Sequence, residues 1–145
     1  TRGIDRFNVA KDLLASHVLA GANLGTDGLV GGIGADSDTF GGGSIGSFSV
    51  LGRVVTSIVG AGLDPVDGVF RNSNDRIIGE RGSEFGSFNI GSCVSQDSYF
   101  TAGLFPRVVK MNGVTISLPE SLAVGTSATA IIDSLLASGK LSCNP

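Results

Sequence analysis

The chain has 145 residues, 41% hydrophobic and only 6% aromatic, with 23 Gly, 4 Pro and a formal net charge of −3. That length suffices for one domain with a core; its glycines follow no G-X-Y period, which excludes collagen, and a mean hydropathy of +0.31 argues against disorder. Lys and Arg are scattered, which argues against a nucleic-acid partner or a polybasic membrane patch, and no apolar run reaches the roughly 18 residues needed to span a bilayer.

The chain starts at Thr, without an apolar leader. With little Lys and much Gly, Ser and Thr, it reads as a mature secreted product, extracellular or at a cell surface. Ile4-Asp5-Arg6-Phe7-Asn8-Val9 is the first ordered stretch, and the chain writes it twice more. Ile45-Gly46-Ser47-Phe48-Ser49-Val50 and Phe85-Gly86-Ser87-Phe88-Asn89-Ile90 follow at spacings of 41 and 40 residues. Ala20-Gly21, Ala61-Gly62 and Ala102-Gly103 keep the same step, and Leu63-Asp64-Pro65 answers to Leu104-Phe105-Pro106. A fixed period of this size marks a repeat architecture.

Phe7 and Val9 share a face at strand spacing. Lys11 to Ala20 has helical propensity by itself, yet Leu13-Leu14-Ala15-Ser16 lies over the β-branched Val54-Val55-Thr56-Ser57, so both are read as strands. Each of the first two repeats then carries a polar loop ending in a short apolar patch, around Phe40 and at Ile77-Ile78. Asp27, Asp36 and Asp38, with Asn23 less firmly, fall in the first loop; Asp64, Asp67, Asn72, Asn74 and Asp75 fall in the second. Calcium takes six to eight oxygens from such flexible loops, which makes these residues candidate ligands. Neither loop has the EF-hand order, and turn chemistry alone favours the same residue types.

The third repeat lacks the acidic loop. Arg107 to Met111 and Val114 to Leu118 flank Asn112-Gly113, a strong signal for a hairpin with a type I′ turn. Ala128, Ile131, Ile132, Leu135 and Leu136 then form one helical stripe, with Thr126 or Ser127 as N-cap and Gly139 just past its end. The helix is expected to cover the C-terminal end of the repeats or to dock on a neighbouring subunit.

A 40-residue unit of two or three short strands cannot bury its own apolar face, but stacked units can. The expected fold is therefore all-β: a parallel β-helix, or β-solenoid, of about three 40-residue coils with a C-terminal hairpin and short helix. A β-sandwich is the alternative. The repeat region spans 1–118, with units at about 4–44, 45–84 and 85–118, and 119–145 forms the helical cap or docking tail. The first coil is expected to present unpaired strand edges, which suits head-to-tail self-association or stacking on neighbouring repeats of a longer assembly. Cys93 and Cys143 are a candidate disulfide in an oxidising compartment, or else two separate buried thiols.

The pattern I-x-x-F-x-V, then a β-branched strand ending in Ala-Gly, then D-P-x-D-G and a trailing N-D-x-I-I-G resembles the Gly-rich β-strand repeats of very large bacterial cell-surface and extracellular proteins. Thr101 to Pro106, running into Val108 to Gly113, is similar to the ends of those arrays. The resemblance covers residues 4 to about 116 and implies a structural or adhesive role outside the cell.

Other chemistry is thin. His17, the sole His, aligns with Ile58 and Ser98, so the repeat does not demand it, and no G-x-S-x-G elbow accompanies it. Gly31-Gly32-Ile33-Gly34 and Gly41-Gly42-Gly43 are not followed by Lys-Ser/Thr, and read as turns. Glu80, Glu84 and Glu120 are the carboxylates a glycosidase would use, and nothing in the pattern brings two together. The chain therefore reads as a non-enzymatic structural module of a filament, sheath or surface layer. A calcium-dependent adhesion module is the second reading, and a carbohydrate-active enzyme the third.

Overall fold

A computed structural model describes residues 3–79 and 82–143. The first repeat contains β1 (Ile4–Val9), β2 (Leu13–Leu14), β3 (His17–Ala20), β4 (Ala22–Asn23) and β5 (Thr39–Phe40). The second contains β6 (Ile45–Val50), β7 (Val54–Val55), β8 (Ile58–Ala61), β9 (Leu63–Asp64) and β10 (Arg76–Ile77). The third contains β11 (Phe85–Ile90) and β12 (Tyr99–Ala102), followed by β13 (Val108–Met111), β14 (Val114–Ser117) and the helix α1 (Gly125–Ala137).

Equivalent strands of successive repeats pair in parallel. β1, β6 and β11 stand side by side with Phe7 opposite Phe48 and Phe48 opposite Phe88. β3, β8 and β12 do likewise, with His17 opposite Ile58 and Ile58 opposite Tyr99. The third partner of His17 is thus Tyr99 and not Ser98, because the third repeat slips one residue between Val94, which bridges Val54, and Tyr99.

The β-solenoid expectation is not met. Among the described residues the strands form five separate sheets, no closed coil runs through them, and parallel and antiparallel pairing are mixed. The physical reason lies at Gly21 and Gly62, whose φ values of +93° and +74° turn the chain away from the stack. The backbone returns on itself, so that β4 pairs antiparallel with β5, and β9 with β10. These excursions, spanning 22–40 and 63–77, are arms that a uniform coil would not contain. The β-sandwich alternative fares no better, since the sheets that carry the repeats are parallel where the repeats meet.

In the third repeat, Asn112 and Gly113 both have positive φ and turn β13 back onto β14. Leu104 to Gly125 doubles along the end of the stack: Phe105 N–H donates to Ala123 O and Gly125 N–H to Gly103 O. The helix begins at Gly125, with Val124 as a cap that makes no side-chain hydrogen bond, rather than at Thr126 or Ser127. It lies against β12 of its own chain and buries Ala128, Ile132 and Leu136 completely. One apolar cluster runs from Leu13 through the Phe residues to Leu141, so tail and repeats share a core.

Side-chain contacts join the repeats besides the strand ladders. Phe7 stacks on Phe48 with planes 3° apart, and Phe48 meets Phe88 at 4.9 Å. Ser16 N–H donates to Ser57 Oγ, and Ser57 N–H donates to Ser98 Oγ, each at 3.2 Å. Arg53 donates its backbone N–H (2.8 Å) and guanidinium (2.7 Å) to Asp12. Cys93 and Cys143 form a disulfide with Cα atoms 4.8 Å apart, and Val94 N–H donates to Leu141 O beside it.

Candidate functional site

The acidic residues singled out in the sequence sit on the two arms, where local hydrogen bonds hold most of them. In the first arm Asp27 accepts from Leu29 N–H, Asp36 from the Thr26 hydroxyl, and Asp38 from Gly31 N–H. Asn23 lies in β4 opposite Thr39. In the second arm Asp64 accepts from Val66 N–H and pairs with Arg76 at 2.8 Å. Asp67 accepts from Val69 N–H and from the side-chain amides of Asn72 and Asn74; Val69 N–H and then Asn74 hold its carboxyl below the ordinary range. Asn72 Oδ1 accepts from Asn74 N–H, and Asp75 accepts from Arg71 N–H.

The arms follow one local plan. Asp27 and Asp67 each precede a positive-φ glycine and hold the N–H two residues on. Asp38 and Asp75 each immediately precede the returning strand, and each holds a residue of positive φ, Gly31 or Arg71, at 2.6 Å. Each also buries its other oxygen, Oδ1, without a hydrogen-bond partner. Among the described residues no three His, Cys, Asp or Glu side chains converge on a metal position. The donor set therefore fits self-contained Asx turns, leaving one uncommitted buried oxygen per arm against the six to eight that calcium takes.

Two clefts flank the second arm. One, of about 650 Å³, lies between the arms and is edged by Asp38, Asp64, Asp67 and Arg76. The other, of about 560 Å³, lies between the second arm, β12 and α1. Its walls include Leu63, Ile77 and Val124, and its polar groups are Asp75, Arg76, Tyr99, Asp133 and the hydroxyls of Thr101 and Thr129. Thr129 donates to Thr101 at 3.1 Å. Arg71 reaches two of these groups: its guanidinium lies 5.7 Å from the Tyr99 ring centre and stands 3.5 Å from Asp133, and it donates to Gln96 O at 3.1 Å. Burial raises the carboxyls of Asp75 and Asp133 above the ordinary range, opposed by the Arg71 N–H at Asp75 and the Arg71 charge at Asp133. Burial likewise raises the Tyr99 hydroxyl.

Sequence reading missed Arg71, Tyr99 and Asp133 as a group. They are 28 and 34 residues apart and belong to an arm, a strand and a helix. The one available signal was Asp133 beside the apolar stripe of α1.

The remaining candidates do not gather. His17 is exposed and meets Phe70 edge-on at 5.2 Å. Glu84 bridges Leu104 at the start of β11, Glu120 is solvated beside Arg107, and Glu80 lies outside the described residues. Gly31, Gly32 and Gly34 are turn residues of positive φ, and Gly41 to Gly43 lie along Gly21 and Ser83, where Gly41 N–H donates to Gly21 O and Gly43 N–H to Ser83 Oγ. Among the described residues no helix is long and apolar enough to cross a membrane.

No family model, curated protein or solved structure matches this chain.

Proposed function

We propose that this chain is a structural module of the extracellular space, a rigid building block of a filament, sheath or surface layer that associates with further copies of itself or with neighbouring repeats of a longer assembly. The observation that supports it best is the ladder between repeats: strand pairing, stacked Phe rings, serine hydroxyls and the Asp12–Arg53 pair all join residues 40 or 41 apart. The disulfide fits an oxidising compartment. The arms carry exposed apolar side chains at Leu29, Ile33, Val66 and Val69, a feature of contact surfaces. The resemblance to Gly-rich repeats of bacterial surface proteins points the same way.

The test is negative-stain electron microscopy of the purified protein, with light scattering across a hundredfold range of concentration, set from about Kd/10 to ten times Kd for a micromolar contact. Ordered filaments or sheets support the proposal. Isolated particles of one chain at every concentration sink it.

A second reading, a calcium-dependent adhesion module, draws on the uncommitted oxygens of Asp38 and Asp75. Calcium titration followed by thermal unfolding tests it: a rise in midpoint that chelator reverses supports it, and an unchanged midpoint at millimolar calcium removes it.

A further inference from the structure

Gly46 and Gly86 occupy one register position in β6 and β11. A Cβ at Gly46 would stand 2.5 Å from the carbonyl oxygen of Asp5 in the preceding strand, and a Cβ at Gly86 would stand closer still to the carbonyl oxygen of Gly46. Real Cβ atoms do not approach within 3.0 Å. The two strands that open the second and third repeats, β6 and β11, therefore both have Gly at that position. The first strand does not: the residue in register with Gly46 and Gly86 is Asp5.

We propose that Asp5 closes the outer edge of β1 to a further in-register parallel repeat, so that the stack ends at its first repeat and partners are taken up elsewhere on the molecule. A strand placed on β1 as β1 is placed on β6 would bring its carbonyl oxygen against the Asp5 Cβ. The next position agrees. Ser87 donates to Ser47 across the β11–β6 pair, whereas β1 carries the charged Arg6 in that register. Charged side chains on a terminal strand are a recognised means of preventing edge-to-edge pairing. The inference concerns this edge of β1 alone. It rests on the repeat stack and not on the proposed structural role. It directs any assembly of this module away from end-on stacking at the first repeat and towards lateral surfaces such as the arms.

The test compares the wild-type protein with Asp5→Gly/Arg6→Ser, which writes the interior Gly-Ser into β1, and with Asp5→Asn, which keeps the Cβ and removes the charge. Molar mass by light scattering and amide exchange over residues 3–9 are followed against concentration. Wild type and Asp5→Asn are expected to keep concentration-independent exchange over this segment. The Gly-Ser variant is expected at least to double in mass and to slow its exchange about tenfold as the opened edges pair. Concentration-dependent protection of residues 3–9 in wild type overturns the proposal. So does a Gly-Ser variant that folds, by circular dichroism, and behaves as wild type; opening of the edge by Asp5→Asn overturns the steric argument. Wild-type filaments that leave residues 3–9 unprotected satisfy both this inference and the structural role. A monomeric wild type with an associating Gly-Ser variant sinks the structural role and leaves the inference standing.

Discussion

The backbone N–H of Ser57 donates to the hydroxyl of Ser98, 41 residues further along the chain, at 3.2 Å. Both residues are fully buried, and Ser16 makes the same bond to Ser57 one repeat earlier. The hydroxyl of Ser57 in turn donates to Val55 O, so the serine satisfies a donor of the repeat before it and an acceptor of its own. Ser98→Ala removes the acceptor and leaves a buried N–H unpaired, at a cost of about 1–3 kcal/mol. Urea unfolding should show that loss as a lower midpoint with an unchanged slope.

Phe48 is completely buried between Phe7 and Phe88, whereas Phe7 has a partner on one side and is half-exposed. Phe48→Ala should therefore cost about 3–5 kcal/mol, as large cavities in cores do. Phe7→Ala should cost clearly less. Equal losses in chemical denaturation would mean that the outer face of Phe7 is covered in solution.

The Cys93–Cys143 bridge closes a loop of 50 residues and ties the end of the chain beside β12 and α1. Reduction, or a Cys93→Ser/Cys143→Ser variant, should lower stability by about 2–4 kcal/mol on loop-closure grounds. Amide exchange should locate the loosening in α1 first, because Val94 and Leu141 are held together next to the bridge.

Asp133 has its carboxyl raised by burial, with Arg71 opposing. The folded state therefore holds this proton to higher pH than the unfolded chain does. Between the ordinary carboxylate pKa and the raised one, the folded state binds more protons, so the contribution of Asp133 to stability falls as pH rises through that window. Asp133→Asn should accordingly gain stability relative to wild type at pH 7 and show no such gain near pH 3. Thermal midpoints across that range give the comparison. A constant difference would mean that Arg71 fully compensates the buried charge.

Short-range chemistry made much of the architecture readable before any coordinates. Residues 4–9, 45–50 and 85–90 must do the same thing because they have the same alternation, and parallel pairing at 41 and 40 residues is what that identity produces. Asn112-Gly113 dictated a turn through its positive φ values, and the stripe from Ala128 to Leu136 dictated a helix. The acidic residues stood out as candidate calcium ligands, but Asp, Asn and Gly also build turns, and where their oxygens point is a matter the sequence does not specify. The tertiary structure alone decided that Gly21 and Gly62 send the chain into antiparallel arms, which breaks the uniform coil that the period suggested. It alone brought Arg71 against Tyr99 and Asp133 at the edge of a cleft, and it alone gave Asp5 a meaning, because the reason for Gly at 46 and 86 is a carbonyl oxygen of another repeat. A periodic sequence specifies which residues are equivalent; what each equivalent position must avoid is set by the backbone packed against it.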